Sequence, residues 1–328
     1  MEGETLIDLR VLVSVGEHNF PRDVAESLSD LAEVIYHQPG EEDYWEALVD
    51  ADALVAGMER IDGELLERAP RLRIVARFGV GYDNIDVEAC TRRGVYVTYT
   101  PDVLSGAVAD LTWGLIIALA RRLIEADRFV RERWALRRGH FPFGFDLEGK
   151  TLGIIGLGRI GSEVAKRAQG FGVKVIYNDV VRKPELEEAY SAEYVPLKEL
   201  LKRADIVSIH VPLLPSTERL IGEKELRMMK PTALLINTSR GAIIDQKALV
   251  KALKEGWIAG AALDVYEEEP IPLDDPLLRL ENVVLTPHIG SATRETRRRM
   301  ALVCAENIRA ALEGKRPPNL VPEQVGIP

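Results

Sequence analysis

The stretch TLGIIGLGRIG, residues 151–161, decides the fold of this chain. Its apolar first half predicts a buried strand, and the amphipathic segment RIGSEVAKRAQG that follows predicts a helix. Gly156 permits a tight turn, Gly158 lets the backbone approach a pyrophosphate, and Gly161 lets the helix pack on the strand. The positive end of that helix would face the phosphates. An ordinary strand–turn–helix is the alternative, but the whole unit is typical of a dinucleotide site.

The next predicted strand, VKVIYND, ends in Asp179, eighteen residues after Gly161. A carboxylate at this position accepts hydrogen bonds from ribose hydroxyls and repels a 2′-phosphate, which favours NAD(H). Arg182 and Lys183 follow shortly after and could compensate for a phosphate. NADP(H) therefore remains possible.

Two stretches of the chain alternate strand and helix patterns, which predicts parallel sheets with crossover helices. A long helical stretch, residues 105–133, separates them and suits either a core helix or a subunit contact. The first set of predicted strands is LRVLVSVG, AEVIYH, ADALVAG, LRIVARFG and VYVTYT; the second is TLGIIG, VKVIYND, DIVSIHV, ALLINTS, IAGAALDV and NVVLTP. We predict the α/β class, with two doubly wound parallel-sheet domains.

Composition narrows the function classes. A chain of 328 residues is long enough to form two domains. Its net charge of -10 argues against nucleic acid or an anionic membrane as a partner. The two cysteines, Cys90 and Cys304, are too far apart for a disulfide framework or a thiolate zinc site, and we predict no metal. The sequence shows no signal peptide, and its longest apolar run, WGLIIALA, is too short to span a bilayer. We expect a cytoplasmic protein.

Three strand ends carry residues suited to chemistry. Arg240 follows ALLINTS, and a guanidinium can bind a carboxylate bidentately and polarise a carbonyl. His288 follows another buried strand, and imidazole titrates near neutrality, so it can give and take a proton. AALDVYEEEP places Asp264 and three glutamates, the last of them Glu269, before Pro270. Taken singly, Arg240 suits a surface position, His288 a structural role and the glutamates a solvated loop.

Together, Arg240, Glu269 and His288 resemble the Arg-Glu-His constellation of the D-isomer-specific 2-hydroxyacid dehydrogenases. Further motifs in family order are ARFGVGYDNID, GKTLGIIGLGRIG, HVPLLPST, INTSRGAIID, ALDVYEEEP and LTPHIGS. PDVLSGAVADL, EADRFVR and KEGWIAGAALDVYEEEP are most similar to the glyoxylate/hydroxypyruvate reductase branch.

The resemblance implies a flavodoxin-like substrate domain, residues 1–101 plus 289–328, into which a Rossmann NAD(P)-binding domain, residues 102–288, is inserted. It also implies a homodimer that reduces a short 2-oxo acid reversibly. His288 would be the acid/base, paired with Glu269, while Arg240 and the amides of Val80 and Gly81 bind the substrate. The expected cofactor contacts are Val108, Gly156, Gly158, Arg159, Ile160, Gly161, Asp179, Pro212, Thr217, Thr238, Asp264 and Gly290.

Other activities fit the same motifs. A D-3-phosphoglycerate dehydrogenase or another D-2-hydroxyacid dehydrogenase would carry the same three residues. The fold also serves a transcriptional corepressor that senses NADH and binds partner proteins, and fold alone does not separate it from an enzyme.

Overall fold

The computed structural model describes residues 8–136 and 139–326. Contacts divide the chain into two compact units, one formed by Met1–Leu104 with Ser291–Pro328 and the other by Ser105–Gly290. Residues 1–7, where the sequence predicts no export signal, lie outside the described part. No helix within that part is both long enough and apolar enough to cross a membrane.

The first unit is built on a five-stranded parallel sheet. Its strands are β1 (Arg10–Val13), β2 (Glu33–Tyr36), β3 (Ala53–Ala56), β4 (Ile74–Arg77) and β5 (Tyr96–Thr98), and its helices are α1 (Arg22–Glu26), α2 (Tyr44–Val49), α3 (Gly63–Arg68) and α4 (Val87–Arg92). The order β2-β1-β3-β4-β5 is the flavodoxin-like doubly wound order. Because β3 and β4 are fully buried, their sequences are apolar except for Arg77 at the end of β4.

The second unit is built on a seven-stranded parallel sheet. Its strands are β6 (Thr151–Ile155), β7 (Lys174–Asn178), β8 (Ala192–Tyr194), β9 (Ile206–Ile209), β10 (Leu234–Asn237), β11 (Gly260–Leu263) and β12 (Val283–Leu285). Its helices are α5 (Ser105–Ala120), α6 (Leu123–Glu132), α7 (Arg159–Ala168), α8 (Pro184–Tyr190), α9 (Leu197–Arg203), α10 (Glu223–Leu226) and α11 (Gln246–Glu255). In the order β12-β11-β10-β9-β6-β7-β8, the direction of succession reverses between β6 and β9. Rossmann folds bind dinucleotides at this switch point. The last helix, α12 (Arg294–Leu312), belongs to the first unit.

The predicted fold class is confirmed, with two differences in detail. The second sheet has seven strands instead of six, because the short edge strand β8 buries only Ala192 and so lacks an apolar run. The predicted helix over residues 105–133 is two helices. Arg122 adopts a left-handed conformation between them, and the carbonyl of Ala120 accepts a hydrogen bond from the amide of Phe145 at 3.0 Å.

Candidate active site

His288 and Glu269 form a hydrogen-bonded pair beyond the ends of β12 and β11. The Nδ1 atom of His288 lies 2.6 Å from Oε2 of Glu269, and Oε1 of Glu269 accepts the amide N–H of Tyr266 at 3.0 Å. An ionised carboxylate accepts but does not donate, so this contact places a proton on Nδ1. Nε2 is then the nitrogen that can exchange a proton with a ligand.

Glu269 remains ionised through its neighbours. Burial by itself would raise the pKa of Glu269, but the hydrogen bond and charge of His288 outweigh burial and hold that pKa below its ordinary value. The amide of Tyr266 and the charge of Arg240 lower it further. Glu269 therefore stays negatively charged across neutral pH.

The loop that carries His288 is fastened by Asp264, which is 1% exposed. Oδ1 of Asp264 accepts the Thr286 hydroxyl at 2.6 Å and the Ile289 amide at 2.8 Å, while Oδ2 accepts the Gly290 amide at 2.8 Å. His288 lies between these hydrogen-bonded residues with φ 54, a backbone conformation that is strained for any residue other than glycine. Burial raises the pKa of Asp264, and the hydroxyl and amide donors counteract that rise. Asp264 thus has a bracing role that the sequence did not predict.

Arg240 is positioned by a tight turn after β10. The buried Asn237 donates through Nδ2 to the Arg240 carbonyl at 2.8 Å, and its Oδ1 accepts the Ser239 amide at 3.0 Å. A Cβ atom on Gly241 would lie 1.8 Å from the Tyr266 carbonyl carbon. Glycine is therefore obligatory at position 241, and the turn that carries Arg240 packs directly on the segment that leads to Glu269.

The glycine loop fits a dinucleotide. Gly156 has φ 92, and a Cβ atom there would lie 2.7 Å from the His210 carbonyl oxygen, whereas a Cβ atom on Gly161 would lie 2.1 Å from the Gly156 carbonyl oxygen. Gly158 instead has open space around its Cβ position, and no side chain caps α7, which begins at Arg159. Open backbone at an uncapped helix N-terminus is the environment that suits a pyrophosphate.

Asp179 closes the glycine loop against the end of β7. Its Oδ2 accepts the Leu157 amide at 2.8 Å and its Oδ1 accepts the Val181 amide at 3.4 Å. Each oxygen keeps a lone pair that can accept from a ribose hydroxyl.

The remaining expected cofactor residues lie in the same unit. The Thr217 hydroxyl donates to the Pro212 carbonyl at 2.6 Å, so it is engaged in its own loop. The Thr238 and Thr112 hydroxyls lie 3.1 Å apart, which links the end of β10 to α5. On the same helix, Val108 lies beside Gly290, where a Cβ atom would be 3.4 Å from Cγ2 of Val108. Ile160 is in the first turn of α7.

Val80 and Gly81 belong to the first unit, in the loop after β4. The buried Arg77 guanidinium spans this loop, donating through Nε to the Gly81 carbonyl at 2.9 Å and through Nη1 to the Phe78 carbonyl at 2.9 Å. Across residues 8–136 and 139–326, neither the Val80 nor the Gly81 amide donates a hydrogen bond. The two amides are available to an anion.

Sequence reasoning missed Arg77, Asn237, Thr112 and Gly241. Asn237 carried a usable signal, because asparagine directly after a strand commonly caps a turn through its own side chain. Thr112 and Gly241 act through contacts between segments distant in sequence, whereas Arg77 donates to carbonyls of the loop that directly follows it. No group of three or more metal-ligating side chains occurs within the described residues.

Comparisons with known proteins identify the family of the chain. A family model for the D-isomer specific 2-hydroxyacid dehydrogenase, NAD binding domain, matches residues 113–290. The glyoxylate reductase of Korarchaeum cryptofilum is 56% identical over 283 residues, covering 85% of this chain and 85% of that protein. That of Aeropyrum pernix is 56% identical over 296 residues, covering 88% of each.

Solved structures are similar over almost the whole chain. A glyoxylate reductase from Paecilomyes thermophila superposes with a TM-score of 0.86 at 37% identity, covering 97% of this chain and 99% of that one. The NADPH-dependent glyoxylate/hydroxypyruvate reductase from Sinorhizobium meliloti, in complex with NADP and malonate, gives 0.84 at 34%, covering 96% and 97%. The D-lactate dehydrogenase from Aquifex aeolicus, complexed with NAD and lactic acid, gives 0.85 at 31%, covering 95% and 98%.

Proposed function

The chain belongs to the D-isomer-specific 2-hydroxyacid dehydrogenase family, and on that premise we propose that it reduces glyoxylate or hydroxypyruvate to the 2-hydroxy acid with NAD(P)H. The observation that carries the proposal is the contact of 2.6 Å between His288 and Glu269 beside the turn that holds Arg240. The glyoxylate reductase names of the relatives at 56% identity support this substrate class.

We assign substrate binding and proton transfer to separate residues of the chain. The reduced dinucleotide, when bound, supplies a hydride. Arg240 binds the substrate carboxylate and polarises its ketone oxygen. His288 donates a proton to that oxygen from Nε2, and Glu269 holds the imidazole in the tautomer that permits this transfer. In the reverse direction His288 accepts the proton.

We propose NADH as the preferred coenzyme. Asp179 offers lone pairs to ribose hydroxyls, and a 2′-phosphate there would meet its negative charge. Both NADP and NAD complexes occur among the similar structures, so the preference depends on this chain's own residues.

We also propose a homodimer. Helix α6 has no buried residue, although Leu123, Ile124 and Val130 on it are apolar. A short helix gains most of its stability from packing, so exposed apolar side chains on a helix without a fully buried residue favour a partner surface.

A panel of 2-oxo acids assayed with NADH and with NADPH tests the activity. We expect turnover of glyoxylate and hydroxypyruvate, and we expect His288→Ala to reduce kcat by about 10²- to 10⁴-fold while the Kd for NADH is unchanged. Unchanged turnover in this variant would remove the mechanism, and NADH binding without turnover in the wild type would favour the corepressor-like alternative.

A further inference from the structure

Arg182 lies three residues beyond Asp179, where an arginine of a nucleotide fold can bind a 2′-phosphate. In this chain its guanidinium is already engaged. Nε donates to Oε1 of Glu187 at 2.8 Å and Nη2 donates to Oε2 at 2.8 Å, a bidentate pair. The arginine is thereby committed to a residue of α8.

Glu187 is itself held in place by a hydrogen bond from the buried Tyr177 of β7. The Tyr177 hydroxyl donates to Oε1 of Glu187 at 2.8 Å and accepts the Lys183 amide at 2.7 Å. One hydroxyl thus fixes both the carboxylate and the backbone next to Arg182. The hydrogen bonds from Arg182 and Tyr177 lower the pKa of Glu187 to about 2, so the carboxylate is charged at any ordinary assay pH.

This arrangement differs from an ordinary surface salt bridge, which contributes little. The Arg182 side chain is 65% exposed, whereas the Glu187 side chain is only 16% exposed. If Arg182 turned towards a phosphate, it would leave a partly buried carboxylate with only the Tyr177 hydroxyl as a partner, and the loss of a charged partner there is costly.

We propose that Glu187 is a positioning residue for coenzyme selectivity, which withholds Arg182 from the 2′-phosphate of NADPH. Selection against NADPH then has two parts, the charge of Asp179 and the captured Arg182. The inference rests on the proposed function, because it requires a nicotinamide dinucleotide at the glycine loop.

Binding measurements on the full chain test the inference without turnover. The ligands are 5′-AMP and adenosine 2′,5′-bisphosphate, measured by calorimetry, and NADH and NADPH, measured by nicotinamide fluorescence. In Glu187→Gln we expect the affinity for the two 2′-phosphorylated ligands to rise about tenfold relative to their unphosphorylated partners. Affinity for 5′-AMP should change no more than about twofold.

Glu188→Gln is the matched control, because it removes the same charge from the adjacent, exposed position of α8. It should leave the selectivity unchanged. Arg182→Ala added to Glu187→Gln should return the selectivity to the wild-type value. Tyr177→Phe should move it in the same direction as Glu187→Gln, which keeps the inference testable if one variant folds poorly.

The outcomes separate the two proposals. If wild-type protein binds neither 5′-AMP nor NADH, the proposed function itself fails, and the inference fails with it. If NADH binds but Glu187→Gln leaves the selectivity unchanged, or Glu188→Gln shifts it equally, only the inference is overturned.

Discussion

At the scale of single residues, the candidate site depends on carboxylates that hold other groups. Glu269 fixes the imidazole of His288, and Asp264 fixes the loop around it through three hydrogen bonds. Both are partly or fully withdrawn from water, yet their pKa values shift in opposite directions. Charged neighbours lower the pKa of Glu269, whereas burial raises that of Asp264.

Glu269→Gln tests the pair at this scale. We expect kcat to fall by about 10²- to 10⁴-fold, because glutamine does not hold the charge that supports a protonated imidazole. The folded-state pKa of Glu269 is below its unfolded value, so its stabilising contribution is present above about pH 4.3 and is lost as the pH falls through the lowered pKa. The measurement is the difference in urea midpoint between wild type and variant, followed from neutral pH to below about pH 4.3.

Glu268→Gln is the control, since it alters the neighbouring carboxylate, and it should retain the wild-type kcat. If the free energy of unfolding of wild type and Glu269→Gln differed more as the pH fell below about 4.3, the expected sign would be contradicted.

At the scale of elements, the site consists of turns at the ends of parallel strands that pack on one another. The turn after β10 carries Arg240, and the segment after β11 leads to Glu269. These two segments touch at Gly241, where no side chain fits against Tyr266. The relative placement of the two turns therefore depends on one missing methyl group.

Gly241→Ala should separate these turns. We expect a loss of about 1 to 3 kcal/mol in the free energy of unfolding, because the added methyl group overlaps backbone atoms that cannot rotate away. The KM for the 2-oxo acid should rise as well, since Arg240 moves with its turn. Urea denaturation and steady-state kinetics measure the two effects.

Gly114→Ala on α5 is the matched control. It is exposed and has open space at its Cβ position. Alanine there should stabilise the protein by about 0.5 to 1 kcal/mol through helix propensity. If Gly241→Ala behaved like this control, the close packing of the two turns would be refuted.

At the scale of the whole molecule, contacts divide the chain into two compact units, and the second unit carries a group of exposed apolar side chains. This group lies on α6 and in the residues that follow it: Leu123, Ile124, Val130, Trp134 and Leu136, each 48–64% exposed. Stable interfaces bury about 800 Å² on each partner, and grouped exposed apolar side chains often mark such a surface.

The double variant Val130→Glu/Trp134→Glu should convert the proposed homodimer into monomers, because a dimer interface would bury both new charges. Sedimentation velocity measures the change. Leu273→Glu places a charge on another exposed apolar position, at 96% exposure, and should leave the dimer intact. A wild-type protein that sediments as a monomer would sink the proposal.

The sequence by itself determined the fold class, and it singled out the glycine loop and the strand-end residues Arg240 and His288 as candidates. These features are local: an apolar run fits a strand covered on both faces, glycines in TLGIIGLGRIG fit one turn, and Arg240 and His288 each follow a predicted strand. The short strand β8 and the break at Arg122 escaped prediction. Strand β8 buries only one residue, so its sequence lacks an apolar run. The break at Arg122 depends on the Ala120 carbonyl, which accepts a hydrogen bond from the distant Phe145.

Only the tertiary structure decided which groups hold the site together. The hydrogen bonds between Asp264 and residues 286–290 and the contact between Gly241 and Tyr266 each join segments that are more than 20 residues apart in the chain. A hydrogen bond or a steric contact depends on distances of a few tenths of an ångström. Sequence spacing places a residue at a strand end, but the packing of neighbouring strand ends sets those distances.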